Sequence, residues 1–216
     1  MDVQGLVQAA GSGNRLGLGP KAFVQLGGRT LLEHSVALLE PHVASVIVAV
    51  PPGDIARANA LVASPRIRVI AGGESRSQTT RLLIAQSEGA WLVLHDAVHP
   101  FPGAELITSL LSEARRSGAA APGLINSEFL YRRDGVLLHA PGQVLTGQKP
   151  VVFSRAAALA GYDALADNGL DEDPSFLDIL ELGGVRTTFL PGSPTNIKIT
   201  TPDDLRLAEA LWAVAN

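Results

Sequence analysis

Leu6-Val-Gln-Ala-Ala-Gly-Ser-Gly-Asn-Arg-Leu-Gly-Leu-Gly-Pro-Lys21 joins an apolar start to a glycine-rich loop that carries two cations, Arg15 and Lys21. Glycine brings backbone N–H groups close to a phosphate because no Cβ stands in the way. The two cations add charge aimed at the same phosphates. The stretch therefore reads as a nucleotide triphosphate loop. The same pattern also fits a tight strand-to-helix turn with two solvated charges, so the rest of the chain has to decide.

Outward from this loop, the chain alternates. Residues 5–10 form a short strand, apolar on both faces as a buried parallel strand is. Further strands are expected at 43–50, 67–70, 91–94, 119–122, 150–153 and 185–190, with extended stretches at 22–26 and 196–200. Between them lie helical patterns at 30–39, 55–62, 78–88, 103–117, 154–165, 175–182 and 201–214. Asp54 is placed to cap the second of these helices, and Leu106, Leu110 and Leu111 to face inward from the fourth. Thr201-Pro202-Asp203-Asp204 is a helix start, with an N-cap threonine, proline in the first turn and acids on the dipole. The fold class is α/β: a doubly wound, mostly parallel Rossmann-like sheet. Ligands bind such sheets beyond the carboxyl ends of the strands. The glycine loop, residues 71–77 and residues 95–100 all fall at that edge.

Residues 124–149 differ in character. Asp134-Gly135 between two apolar runs signals a hairpin, which would project from the sheet as an arm. Phe129, Leu130, Tyr131, Val136, Leu137 and Leu138 give it the apolar content of a surface that meets a partner or covers the site. A polar loop is expected at 167–174.

The totals set limits. A chain of 216 residues suits one α/β domain, 1–216. With 46% hydrophobic and 18% charged residues it can bury a large core and is not a disordered chain. Net charge is −4 with no long basic run, which argues against nucleic-acid binding and leaves room for a local basic pocket. There is no Cys, so disulfides, thiolate metal sites and a Cys nucleophile are excluded. No signal peptide and no membrane-spanning run are evident, so a soluble cytoplasmic protein is the expectation.

The loop lacks the Gly-Lys-Ser/Thr ending of a Walker A sequence and the dinucleotide-binding Gly-x-Gly-x-x-Gly pattern. No nucleophile elbow or His-rich metal motif is present. Phosphoryl or nucleotidyl transfer remains, where the protein positions anionic groups and neutralises charge at phosphorus. Arg15 offers a planar fork, Lys21 a point charge. Lys198 lies where it can reach the same place from the other side, or be a solvated lysine at a strand end. Asp96 ends a strand at the ligand edge, placed to bind a magnesium ion or a sugar hydroxyl, or to cap the next turn. Gly72, Gly73, Glu74 and Thr79 could form a base pocket, or another strand-to-helix turn. Arg76 either fastens that loop or is solvated. His95 reads as structural.

Four blocks together resemble the 2-C-methyl-D-erythritol 4-phosphate cytidylyltransferase family of the non-mevalonate isoprenoid pathway. They are Ala9-Ala10-Gly11-x-Gly13-x-Arg15 with Pro20-Lys21, Gly72-Gly73-Glu74-x-Arg76-x-x-Thr79, His95-Asp96-Ala97-x-x-Pro100-Phe101, and Asn196-Ile197-Lys198-Ile199-Thr200. The resemblance implies transfer of CMP from CTP to a polyol phosphate, with release of pyrophosphate and with Mg2+ held mainly by the CTP phosphates and, on the protein side, by Asp96. It implies that Ala9, Ala10, Gly11 and Gly13 wrap the triphosphate and that Arg15 and Lys21 stabilise the transition state. Gly72, Gly73, Glu74 and Thr79 would hold cytosine. Asp96 and Ala97 would lie near ribose and substrate, and Lys198 would orient the acceptor phosphate. A homodimer completed by the arms is also implied.

The departures cluster on the acceptor side. His99 stands where the family usually has arginine. Asn126-Ser127 stands in place of an Asp-Thr pair, and no arginine lies near Pro141. The block at 171–175 is altered. His99 and Lys149, with Arg132 and Arg133 nearby, are the acceptor-side candidates in this chain. Three readings follow: methylerythritol phosphate as acceptor, another polyol phosphate such as ribitol 5-phosphate, or a non-catalytic nucleotide-binding relative.

Overall fold

In chain order the strands are β1 (Val3–Gln8), β2 (Gln25–Leu26), β3 (Arg29–Thr30), β4 (Ser45–Val50), β5 (Ile67–Ala71), β6 (Trp91–Asp96), β7 (Ala119–Ile125), β8 (Leu130–Tyr131), β9 (Leu137–His139), β10 (Leu145–Gly147), β11 (Val151–Ser154) and β12 (Thr188–Pro191). The helices are α1 (Leu31–Leu39), α2 (Ile55–Leu61), α3 (Arg76–Ala85), α4 (Ala104–Ser117), α5 (Arg155–Ala164), α6 (Phe176–Leu182) and α7 (Pro202–Ala215). The structure, a computed structural model, describes residues 2–11, 13, 16–165 and 173–215.

β1 lies between β4 and β6 and is parallel to both, and β5 extends the parallel set beyond β4. The chain winds outward from β1 to β5, then crosses back to lay β6 on the other side of β1. The strand order therefore reverses between β1 and β6, the crevice where open α/β sheets bind ligands. Beyond β6, β11 runs antiparallel, and β7 pairs antiparallel with β11. β12 pairs parallel with β7, while β10 pairs antiparallel with its C-terminal half.

Helices cover both faces of the sheet, so its strands read as continuous apolar runs. Alternate residues still go opposite ways. Val3, Val7, Val46, Val48, Val50 and Val93 share one core with Val36 and Leu39 of α1 and Ile107, Leu110 and Ala114 of α4. Leu6, Ile47, Ala49, Leu92 and Leu94 face the other, with Leu83 and Ile84 of α3, Ala158 and Tyr162 of α5, and Ile179 and Leu180 of α6. The inward stripe of α4 is thus Ile107, Leu110 and Ala114. Leu106 and Leu111, expected to face inward, flank it partly buried.

A third core joins distant parts of the chain. Leu16, Val24, Leu26 and Leu31 pack with Ile199 and Ala208. The β2–β3 turn makes this possible. Gly27 and Gly28 both have positive φ (+58° and +81°), as a two-residue hairpin loop needs. A Cβ on Gly27 would lie 2.0 Å from the indole nitrogen of Trp212, so α7 rests directly on that turn. α1 begins at a capping box. The Glu33 N–H donates to the Thr30 hydroxyl (3.2 Å), and the Thr30 N–H donates to the Glu33 carboxylate (2.7 Å).

Other local readings are corrected. Asp54 makes no side-chain cap at α2. Lys21–Phe23 is a 3-10 turn, so extended backbone starts only after it. The 196–200 stretch is held by loop contacts and belongs to no strand. The hairpin at Asp134-Gly135 is present: β8 pairs with β9, and Gly135 takes φ +88° in the turn. Of the loop expected at 167–174, residues 166–172 lie outside the described residues.

Candidate active site

A cavity of about 610 Å³ opens at the carboxyl ends of β1 and β6. Among the residues singled out from sequence, Ala9, Ala10, Gly11, Gly13, Lys21, Gly73, Glu74, Thr79, Asp96, Ala97 and Lys198 line it. Gly72, His99 and Lys149 are not among its lining residues. Arg15 lies outside the described residues.

The first wall is the loop after β1. The Ala9 N–H donates to the Ala49 carbonyl (2.8 Å), prolonging the β1–β4 ladder by one step. The space over Gly11 is open, since a Cβ there meets nothing within 4 Å. Gly13 is different. Its φ is +74°, and a Cβ would fall 1.8 Å from the Gly19 carbonyl oxygen. The loop doubles back on itself at this point, and the N–H groups of Leu16 and Gly17 both donate to the Gly13 carbonyl. Lys21, at the end of the returning limb, donates from Nζ to the Ile199 carbonyl (3.3 Å).

The second wall is the β5–α3 loop. Gly72 is there for contact with the first wall: a Cβ on it would sit 2.4 Å from the Ala10 Cβ. The Gly73 N–H donates to the Thr79 hydroxyl (3.0 Å), which in turn donates to the Ser75 carbonyl (2.9 Å). Ser75 caps α3 by accepting from the Gln78 N–H. Arg76 fastens the loop, as one sequence reading allowed, by donating to the Asp173 and Pro174 carbonyls. Gln8, Ser75 and Val98 also line the cavity. Sequence reasoning missed them. Gln8 carried only a weak signal, a polar residue ending an apolar strand. It donates to the Arg76 carbonyl (2.9 Å) and to the Thr80 hydroxyl (2.5 Å), joining the two walls.

The floor is built from side chains. Asp96, at the end of β6 and 7% exposed, receives two ammonium groups. Lys149 Nζ lies 3.6 Å from one carboxylate oxygen and Lys198 Nζ lies 3.6 Å from the other. Burial pushes the Asp96 carboxyl up, and the two lysine charges outweigh it, so the group is held below its ordinary value and stays ionised. Burial lowers the Lys149 ammonium, with Asp96 opposing that shift. One carboxylate between two cations leaves a net positive floor, suited to an anionic ligand.

Two buried histidines back this floor. Burial, reinforced by the His99 side chain, pushes His95 down to about 3. Burial also brings His99 down to about 4 against the pull of Asp96. Both rings are therefore neutral at physiological pH. His99 is 5% exposed and uncharged, so it adds no cation to the floor. The positive charge of the floor comes instead from Lys149 and Lys198.

Residues 3–213 match the family model described as "IspD: 2-C-methyl-D-erythritol 4-phosphate cytidylyltransferase". A protein of that name from Deinococcus radiodurans is 39% identical over 213 residues, covering 95% of this chain and 88% of the relative. One from Thermus thermophilus is 36% identical over 224 residues, covering 99% of each. A crystal structure of the enzyme of that name from Thermus thermophilus superposes with a TM-score of 0.80 at 29% identity, over 99% of this chain and all of the other.

Proposed function

We infer that the chain, which belongs to the 2-C-methyl-D-erythritol 4-phosphate cytidylyltransferase family, transfers CMP from CTP to 2-C-methyl-D-erythritol 4-phosphate and releases pyrophosphate. It is a nucleotidyltransferase of isoprenoid precursor biosynthesis. An oxygen of the acceptor's phosphate attacks the α-phosphorus of CTP, and the bond to the β-phosphate bridging oxygen breaks. Both reactants are polyanions. The protein's task is to bring them together and neutralise charge at the α-phosphorus. The observation that carries this reading is that Lys21 and Lys198 line one cavity at the strand-order reversal, with Lys149 paired to the same Asp96 carboxylate as Lys198.

The roles divide by wall. The Ala9–Gly13 loop takes the triphosphate, with Lys21 and Arg15 neutralising the transferred phosphoryl group. Residues 72–79 take the cytosine, and Asp96 and Ala97 stand by the ribose. Lys198 and Lys149 take the acceptor's phosphate. Mg2+ suits this donor set. Among the described residues no group of three or more His, Asp or Glu side chains gathers as a metal cage. Magnesium typically sits on substrate phosphates with one or two carboxylates, and Asp96 is the carboxylate at the junction of the walls. Bound there, the ion would add charge neutralisation on the phosphates.

The protein's partner is a second copy of itself. Phe129, Tyr131, Val136, Leu137 and Leu138 of the arm and Ile125 at its base are all exposed large apolar side chains, the kind of surface a second subunit would cover. Among the described residues no helix is long and apolar enough to cross a membrane, and cytoplasmic location fits the phosphorylated substrates.

Pyrophosphate release with CTP, Mg2+ and 2-C-methyl-D-erythritol 4-phosphate, against ribitol 5-phosphate in parallel, tests the reaction. Turnover is expected with the first. Turnover with ribitol 5-phosphate alone would reassign the acceptor, and turnover with neither would remove the enzymatic reading. Sedimentation of the same preparation is expected to give a dimer, and a fully active monomer would refute the role of the arm.

A further inference from the structure

Lys149 and Lys198 are far apart in the chain, yet their ammonium groups flank one carboxylate. The residues that hold them so belong to neither wall of the cavity. Between the register pairs Gly147–Gly123 and Val152–Ala120, the β10–β11 side carries residues 148–151 against only 121 and 122 of β7. Lys149 sits in this bulge. Its neighbour Gln148, 8% exposed, turns its side chain onto the segment that leads to Lys198. Gln148 Nε2 donates to the carbonyls of Ser193 (2.7 Å) and Asn196 (3.1 Å), and its Oε1 accepts from the Ser193 N–H (3.0 Å). Asn196, 1% exposed, answers in the other direction, donating from Nδ2 to the Lys149 carbonyl (2.7 Å).

The bridge has room because residue 192 is glycine: a Cβ there would lie 2.3 Å from Gln148 Oε1. On its far side Lys198 is anchored again. The Ile199 N–H donates to the Val98 carbonyl (2.9 Å), and the Ile199 carbonyl accepts from Lys21. Lys198 is thus suspended between two tied points, one on the Lys149 bulge and one on the turn after Asp96.

Resting on the acceptor reading of the two lysines, we propose that Gln148 and Asn196 are positioning residues. They set the spacing of the Lys149 and Lys198 ammonium groups across Asp96, and so the affinity for the acceptor's phosphate. Neither touches the substrate. Both act by fixing the backbone on either side of the cations, since a misplacement of about 1 Å in such a clamp costs up to ~10²-fold.

The test is Gln148→Met, which preserves length and removes both donors and the acceptor. With CTP saturating, acceptor KM is expected to rise ~10–100-fold while CTP KM stays within about twofold. Asn196→Ala should repeat this split. A joint rise in both KM values reports general loosening of the fold and overturns the proposal, as does an unchanged acceptor KM. Amide hydrogen exchange gives a readout that needs no turnover. Residues 193–199 are expected to exchange faster in Gln148→Met than in wild type, with β1 and β4 unchanged; equal exchange throughout overturns the bridge. If wild type turns over no acceptor, the functional reading fails by itself. Calorimetric binding of inorganic phosphate to the CTP complex then decides the bridge: weaker binding by Gln148→Met supports it, and equal binding overturns it.

Discussion

The two halves of the cavity are made differently. The half proposed for the nucleotide consists of the loop 9–13 and the β5–α3 connection with the first turn of α3. Its shape comes from close packing at glycines, with Gly13 against the Gly19 carbonyl and Gly72 against the Ala10 methyl. The half proposed for the acceptor consists of side chains from three distant segments, Asp96, Lys149 and Lys198, held by an amide bridge. A backbone-built wall tolerates little change, because a single Cβ fills it. A side-chain floor can trade its residues as long as net charge and reach survive. In this chain His99 is buried and neutral, and Lys149 brings charge from the bulge between β10 and β11.

The largest effect is expected where both halves meet at the transferred phosphorus. Lys21→Ala should lower kcat by ~10²–10³, the usual cost of one well-placed charge donor, with CTP KM little changed. Single-turnover kinetics measure it; an effect confined to a rise in acceptor KM would move Lys21 to the acceptor half.

Next comes Lys149→Met. Loss of one charged contact to the acceptor should raise its KM by ~10–100-fold and leave CTP KM unaltered. Should CTP KM rise equally, the division between the halves would be wrong.

The smallest effect is on stability in acid. His95 and His99 titrate at about 3 and about 4 in the folded protein, both below the ordinary value of 6.5. The unfolded chain therefore binds more protons between those values. Their contribution is complete above pH 6.5 and is lost as pH falls toward 4 and then 3. Thermal midpoints at neutral pH and near pH 5 should show a decline, at ~2–4 °C for each kcal/mol lost. His95→Gln should flatten that decline; an unchanged slope would show that this ring is not held neutral by burial.

Legibility in the sequence followed the same division. The strands and helices were readable because alternating valines and leucines declare a sheet covered on both faces, and the glycine blocks because a turn or close approach is a local requirement. Helix ends were placed less well, as at Asp54, where the expected cap is absent. Gln8 was missed because one polar residue at a strand end does not show which loop it will join. Asn196 stood in a motif block, but its bridge to Gln148 was missed for a stronger reason, since the two meet only when the β10–β11 bulge is laid against the 193–199 segment.

By itself, then, the sequence determined the doubly wound sheet, the glycine-rich loop after β1, the hairpin at Asp134-Gly135 and the order of the site blocks. These depend on period, turn chemistry and side-chain size over a few residues. The tertiary structure alone decided that Asp96 is shared by two lysines, that His99 is buried and uncharged, and that an amide bridge sets the floor. Those properties depend on burial and on distances between segments remote in the chain, and local pattern carries no information about either.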